Sequence, residues 1–444
     1  MNRYFHVSKM KILVVGSGGR EHTICWALKR NSQQRLELFC APGNAGIAQV
    51  ADCVPIQVND LSALAKYAEH AKIDLTMVGP EAPLAAGIVD EFERRGLRII
   101  GPTKAAARLE SSKAFAKDFM TRHSIPTARY RVANSIPEAQ RILESETLGD
   151  ERSSVVIKAD GLAAGKGVFV TCDRDSALAA LQELESGAVG AEAANRIVIE
   201  ETLIGREISL LMFADGNDYK LMPLARDHKR IGEGDTGPNT GGMGAITDRR
   251  LVDDETLARI VQEIVEPTLQ GCRDEGFPFR GILFIGLMLT ADGPQVLEYN
   301  VRFGDPETQA ILVRLKSDLG EIFNGMVDQR LGEIDIHWSD DSSACVVLAA
   351  KGYPAKAETG ARITGLDAAP QHDEVTIFHA ATSRDGQGAW LTAGGRVLGV
   401  TATGPTLEIA LSRAYEAVAD IHWDGKQYRR DIGRFLAPGT AASG

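Results

Sequence analysis

Val155-Val-Ile-Lys158-Ala-Asp160-Gly161-Leu-Ala-Ala-Gly165-Lys166-Gly167-Val-Phe-Val170 sets two β-branched or aromatic runs on either side of a loop holding three glycines. Such runs suit pleated strands, and glycine lets backbone N–H groups come close to a bound anion. Lys158 and Lys166 add positive charge. The stretch reads as a strand, glycine loop, strand hairpin that lies over phosphate. A P-loop would need four residues before its Gly-Lys pair, then Ser or Thr for magnesium, then a helix. Here three residues separate Gly161 from Gly165, Gly167 takes the place of the hydroxyl, and a strand follows. The competing reading is a flexible hairpin with incidental lysines, and the rest of the chain has to decide between the two.

The chain has 444 residues, 44% hydrophobic and 25% charged, which fits a soluble globular protein of about three domains. A net charge of -11 leaves no broad basic surface for nucleic acid, so phosphate has to be met by a few local groups. Six scattered cysteines form no metal knuckle and no Cys-x-x-Cys unit, and read as core residues of a reducing compartment. The run Ile12 to Val15 is too short for a signal sequence, and no stretch approaches the ~18 apolar residues of a membrane span. The expected location is cytoplasmic, with neither membrane nor nucleic acid as partner.

Residues 1–9 read as a disordered extension. From Met10 the pattern alternates strand and helix through Arg98 to Ile100, which predicts a parallel sheet covered on both faces, with ligands at the carboxyl ends of its strands. Three loops fall there: Gly16-Ser-Gly18-Gly19-Arg20-Glu21-His22, Ala41-Pro-Gly43-Asn44-Ala-Gly46 and Gly79-Pro-Glu81-Ala-Pro. The first imitates a dinucleotide fingerprint, but its third glycine is Glu21 and the second strand ends in Ala41-Pro42 instead of a ribose-binding acid. A single sugar phosphate at the helix N-terminus, beside Arg20, fits better. Further on, Ile231 to Gly244 reads as a long functional loop, Asp253 to Glu275 as one helix, and the chain from Trp338 as an antiparallel sheet with one helix and no catalytic constellation.

In Glu298-Tyr-Asn300-Val-Arg302-Phe-Gly304-Asp305-Pro-Glu307, strand alternation puts Glu298 and Asn300 on one face, where both offer oxygen to a hard cation. Arg302 continues that face as a cation for phosphate or carboxylate. The alternative is a solvated strand end followed by ordinary turn chemistry.

The lysine strand with its glycine loop, Glu200 to Glu207, and Glu298-x-Asn300, in that order, resemble the ATP-grasp superfamily. The loops quoted above, with Asp227-His-Lys229-Arg230, Asp235 to Gly244 and Arg302 to Glu307, are similar to the glycinamide ribonucleotide synthetase family over about Met10 to Arg434. The resemblance implies α/β and α+β multidomain architecture. Its parts would be a Rossmann-like substrate domain over 10–111, an ATP-grasp core over 112–131 and 203–337, a flap subdomain over 132–202, and a C-terminal domain of antiparallel sheet plus helix over 338–437. It implies ATP-dependent ligation of glycine to 5-phosphoribosylamine through glycyl phosphate, the second step of purine synthesis, with no covalent enzyme intermediate. Lys113, Lys158 and the loop Gly161, Gly165, Lys166 and Gly167 would meet the ATP phosphates. Glu200, Glu201 and Leu203 would border adenine, and Glu207 the ribose. Glu298 and Asn300 would hold Mg2+ or Mn2+. Lys229 and Arg302 would act on the migrating phosphoryl group and the glycyl carboxylate. Gly18, Gly19, Arg20, Asn44, Glu81, Asp227 and Asn239 would border the other substrates. A monomer in transient contact with the preceding pathway enzyme is the expected assembly. One departure from related enzymes is that Ile282 to Leu289 carries no acid, with Gly286 near the place where a further metal carboxylate often stands. The competing functions are a carboxylase of the same superfamily, a nicotinamide-dependent oxidoreductase and a non-catalytic nucleotide binder.

Overall fold

The computed structural model describes residues 9–145, 147–162, 167–186, 196–366 and 374–434. The expected extension therefore lies, apart from Lys9, outside the described residues. So do Gly165 and Lys166 of the glycine loop.

The N-terminal region forms a five-stranded sheet in the order Asp52–Cys53, Leu36–Pro42, Met10–Gly16, Leu75–Val78, Ile99–Ile100, and its pairings are all parallel. Ile12 to Val15 are fully buried because helices cover both faces, which is why this strand is a continuous apolar run. Strand order reverses at Met10–Gly16, so its carboxyl end is the crevice where an open α/β sheet receives a ligand. Glu21 fills that crevice: a Cβ at either Gly16 or Gly79 would overlap its side chain, and its Oε2 accepts from Gly18 N at 2.6 Å. A carboxylate thus stands where a dinucleotide would bring its pyrophosphate, which agrees with the failed fingerprint.

A separate lobe holds the opening stretch. Its sheet runs Tyr130–Ala133, Ile197–Glu201, Val155–Ala159, Val168–Val170, and helices Ile136–Glu144 and Arg174–Glu185 pack on it around Leu143, Ile157, Leu181 and Ile199. Lys158 pairs with Val168, so the strands flanking the glycine loop do form an antiparallel hairpin.

The largest sheet begins at Gly293–Asn300 and continues through Arg280–Thr290, Arg206–Asp215, Ala225–Asp227 and Gly244–Thr247. It then runs on into the C-terminal strands Ser342–Ala349, Arg396–Gly404 and Val375–His379, joined where Ile246 pairs with Ala344. Helix Leu407–Asp420 covers this end, burying Leu407, Ala410, Ala414, Ala417 and Val418. The C-terminal sheet is therefore a continuation of the core sheet.

Two local expectations are corrected. The segment after Lys229 is largely a hairpin, Arg230–Gly232 against Thr236–Asn239. Gly234 and Asp235 turn it at positive φ, and Arg429 and Asp431 pin it through Asp235 and Gly234 N. The long helix is Asp254–Ile260 and Glu266–Asp274 with a π-turn, Val261–Val265, between them. Pro267 cannot donate to the preceding turn, and the wider i→i+5 turn absorbs that loss. Among the described residues no helix is long and apolar enough to cross a membrane.

Candidate active site

Lys158 leaves its strand toward the core sheet. Its Nζ donates to the carbonyl of Leu297 at 3.1 Å and lies 3.0 Å from Glu200 Oε1. The other Glu200 oxygen is 3.0 Å from Lys117 Nζ, which donates to Thr127 Oγ1 at 2.7 Å. That hydroxyl in turn donates to the carbonyl of Val296. All three charged side chains are buried, Lys117 and Glu200 being 2% exposed. Burial pushes the Lys117 ammonium down to about 8, with Glu200 opposing the shift. Lys113, one helical turn earlier, donates to Gly161 O at 2.9 Å, and Ser112 and Ala114 N hold Asp160. Helix Lys113–Arg122 thus anchors the base of the glycine loop.

Glu298 faces Gly286 across the sheet, so no second side chain crowds its carboxylate there. Burial works to raise its pKa, but Lys229, Lys158, Lys113 and Arg302 outweigh burial and hold it below the ordinary glutamate range. Asn300, two residues on, presents Oδ1 to Arg302 Nη2 at 3.0 Å. An ionised carboxylate and an amide oxygen on one strand face fit a hard divalent cation. Among the described residues no cluster of three or more His, Cys, Asp or Glu competes for one.

Arg302 ties this pair to the N-terminal crevice. Its guanidinium lies 2.9 Å from Glu110 Oε1 and 3.3 Å from Glu81 Oε2. Glu110 also accepts from Val301 N at 2.8 Å, and burial lifts its carboxyl above the usual range against the pull of Arg302. Burial tends to raise Glu81 as well, yet Arg302 and Arg20 outweigh it and hold the group low. Arg20 pairs with Glu21 and donates to Phe303 O at 3.2 Å. On the far side Lys229 Nζ meets Glu207 Oε2 at 2.9 Å. Burial, with Glu307, Glu207 and Glu298 adding to it against Lys229, pushes the Asp227 carboxyl up to about 8.

Lys113, Lys158, Gly161, Glu200, Glu207, Asp227, Lys229, Glu298, Asn300, Arg302, Glu81 and Arg20 are thus brought into one connected set of charges and strand ends. The Gly167 carbonyl accepts from Ala159 N at the hairpin base, and Gly18 and Gly19 open the helix beside Arg20. Other expected residues have their side chains committed elsewhere. The Glu201 carboxylate holds Arg129 through both oxygens, and its backbone N–H donates to Arg129 O, so of its polar groups only the carbonyl is left for any adenine contact. Asn44 donates to the carbonyls of Ser17 and His379 and accepts from Gly46 N and Ile47 N, bracing its loop against the C-terminal region. Asn239 ends the hairpin opposite Arg230. Leu203 is half-buried in the crossing between the lobes, next to Ile204, which is 86% exposed.

Sequence reasoning missed Lys117, Glu110 and Arg396. Lys117 could have been found from its place four residues after Lys113, on the same helix face. Glu110 and Arg396 meet partners far along the chain and left no local signal. Arg396, from the region expected to carry no site chemistry, donates to Asp305 O at 2.6 Å and lies 3.2 Å from Asp305 Oδ2.

The comparisons with known proteins agree along the chain. Family models described as phosphoribosylglycinamide synthetase match as N domain over residues 10–110, ATP-grasp (A) domain over 111–308 and C domain over 343–435. A phosphoribosylamine-glycine ligase of Brucella melitensis is 47% identical over 424 residues, covering 96% of this chain and 97% of that protein. One of Salmonella typhimurium is 47% identical over 429 residues, covering 96% and 98%. The crystal structure of phosphoribosylamine-glycine ligase from Thermotoga maritima superposes with a TM-score of 0.79 at 34% identity, covering 95% of this chain and all of that one. A biotin carboxylase from Campylobacter jejuni, at 15% identity and a TM-score of 0.70 over 96% and 94% of the two chains, shares the fold. With its three regions matched in order and its relatives aligned nearly end to end, the chain belongs to the phosphoribosylglycinamide synthetase family.

Proposed function

We infer that the chain joins glycine to 5-phosphoribosylamine at the expense of ATP, giving glycinamide ribonucleotide, ADP and phosphate through glycyl phosphate. The observation that carries the reading is the run of electrostatically linked groups from Arg20 through Glu81 and Arg302 to Glu298, with Asn300 hydrogen-bonded to Arg302. It links a crevice suited to a sugar phosphate with a lysine-lined cleft suited to a nucleotide.

Lys113 and Lys158 clamp the triphosphate, and the glycine stretch Gly161 to Gly167 is the part that would close over it and exclude water, as the family resemblance implies. Gly165 and Lys166 in that loop remain phosphate contacts of this reading. Glu200, the Glu201 backbone and Leu203 border the base, and Glu207 receives the ribose hydroxyls. Glu298 and Asn300 would hold Mg2+ or Mn2+, which when bound would neutralise phosphate charge. Lys229 and Arg302 hold the glycine carboxylate and the transferring phosphoryl group in line. A carboxylate oxygen attacks the γ phosphorus, the bond to the β-γ bridging oxygen breaks, and ADP leaves. The ribosylamine nitrogen, in the crevice of Gly18, Gly19, Arg20, Asn44 and Glu81, then attacks the acyl carbon, and phosphate departs. Asp227 and Asn239 border the glycine side.

One chain holds every group named, so a monomer suffices, and a short-lived ribosylamine favours delivery by transient contact with the enzyme that makes it. Six unpaired cysteines suit a reducing cytoplasm.

An omission assay tests the reading. ADP formation with ATP and magnesium is expected to require both glycine and ribosylamine. Turnover driven by bicarbonate without glycine would replace this reading with a carboxylase, and no turnover at all would leave a nucleotide binder.

A further inference from the structure

We propose that Arg396, at the start of the C-terminal strand Arg396–Gly404, is a positioning residue that locks together the two loops bearing the acceptor half of the site, so that its guanidinium governs amide formation and leaves nucleotide binding alone. The proposal rests on the function inferred above.

Arg396 bridges two segments distant in sequence. One guanidinium nitrogen donates to both Gly241 O and Asp305 O, and the other lies 3.2 Å from Asp305 Oδ2. Its side chain is 21% exposed, so water competes weakly for these bonds. Gly241 belongs to the loop that closes back on Lys229, where Thr240 N and Oγ1 both donate to Lys229 O at 2.8 Å. A Cβ on Gly241 would stand 2.9 Å from Arg396 Cζ, and one on Gly242 would overlap Pro306. Glycine is what admits the arginine and the neighbouring turn. Tyr353, also from the C-terminal region, accepts from Gly241 N at 2.9 Å.

The second segment carries Arg302 three residues before Asp305. The other Asp305 oxygen accepts from Gln309 Nε2 at 2.8 Å, and Oδ2 lies 3.6 Å from the Cβ position of Gly18. Asp305 therefore stands against the first turn of the helix Gly19–Arg30, beside the crevice assigned to the sugar phosphate. Arg396 offsets that carboxylate with a charge-assisted fork, and the same fork sets the distance between the Lys229 loop and the Arg302 turn. Without the guanidinium, Asp305 would oppose an incoming phosphate and the two loops would lose their common anchor. A displacement of about 1 Å in such a frame costs on the order of 100-fold in rate. Lys158, Lys117, Glu200 and Lys113 lie outside these contacts, which is why nucleotide affinity is spared.

The test uses the full chain with Arg396→Lys, which keeps the charge and loses the fork, Arg396→Gln, which loses both, and Asp305→Asn. Heat unfolding is followed for each. The expected result is a fall in kcat of roughly 10- to 100-fold and a higher KM for ribosylamine in Arg396→Gln. Arg396→Lys should recover part of the loss, and KM for ATP should stay within about twofold of the unmodified chain. Oxygen scrambling between the β-γ bridge and β non-bridge positions of ATP, with glycine alone, should slow along with kcat in Arg396→Gln, because it reports glycyl phosphate formation between Lys229 and Arg302, the two groups whose spacing the fork sets. Unchanged ribosylamine kinetics in a variant that melts normally overturns the proposal, as does an equal loss for ATP and ribosylamine. If Arg396→Gln does not fold, normal ribosylamine kinetics in Arg396→Lys and Asp305→Asn together overturn it. An unmodified chain that needs neither glycine nor ribosylamine sinks the functional reading itself, an outcome distinct from failure of the variants alone.

Discussion

Replacing Lys117 with methionine removes an ammonium that is 2% exposed and sits between Glu200 and Thr127. At pH 7 the loss is the smaller kind, about 1–3 kcal/mol, because Lys158 still faces Glu200. The pH dependence is more diagnostic. Burial depresses this group from 10.5 to about 8. Between those values the unfolded chain keeps a proton that the folded chain has shed, so stability from this site rises with pH. The cost of burying the ammonium is fully present below about 8 and is relieved as pH climbs toward 10.5. The interval corresponds to about 3 kcal/mol in all, of which roughly 1 kcal/mol appears between pH 7 and 9. Urea unfolding of the unmodified chain and the variant at pH 7, 8 and 9 reads the effect as the difference between them, which cancels other titrating groups. The gap in favour of the unmodified chain should widen by about 1 kcal/mol over that range. KM for ATP should also rise in the variant, since Glu200 then draws on Lys158 alone. A gap that stays flat or narrows with pH would refute the buried-ammonium account.

Glu298→Gln should lower magnesium-dependent turnover by on the order of 100-fold or more while the melting temperature changes little, because the group's charge serves a ligand more than the fold. Equal activity in both proteins removes Glu298 from the site. For Asp227, whose carboxyl ionises near 8, the negative charge offered to the ammonium of glycine grows as pH rises. KM for glycine should fall roughly tenfold per unit between pH 6 and 7 and level off above about 8, and Asp227→Asn should flatten the profile. A KM independent of pH in the unmodified chain contradicts this. In Gly79→Ala the new methyl overlaps Glu21 Oε1, which also holds Arg20. Destabilisation of about 1–3 kcal/mol by urea titration is expected, with a raised KM for ribosylamine and little change for ATP; an unaltered KM for ribosylamine would argue against Glu21 shaping that crevice.

What the sequence disclosed is what neighbouring residues encode. The β-branched strand around Lys158, its glycines and the alternation of Glu298 and Asn300 are short-range patterns, and the hairpin and shared strand face follow from them. The failed dinucleotide fingerprint was legible for the same reason, although only the fold shows Glu21 filling the crevice. The hairpin after Lys229 escaped because its strands contain glycine, proline and asparagine, and its turn is held by Arg429 and Asp431 almost two hundred residues later. The π-turn escaped because Pro267 stands in an otherwise regular helical pattern. Continuity of the core sheet into the C-terminal strands depends on pairing Gly244–Thr247 with Ser342–Ala349, and no local periodicity announces that. Glu201 and Asn44 bear the right chemistry at plausible places, yet their side chains are spent on Arg129 and on the His379 backbone. Composition alone could not reveal those partners.

The central claim, that ATP activates the glycine carboxylate and the amine displaces phosphate from it, is tested most directly with glycine labelled by oxygen-18 in both carboxylate oxygens. Mass analysis of the phosphate released during turnover should find one labelled oxygen per molecule, with the other retained in the new amide. Phosphate free of the label, in a reaction that consumes glycine and ATP together, would contradict the account.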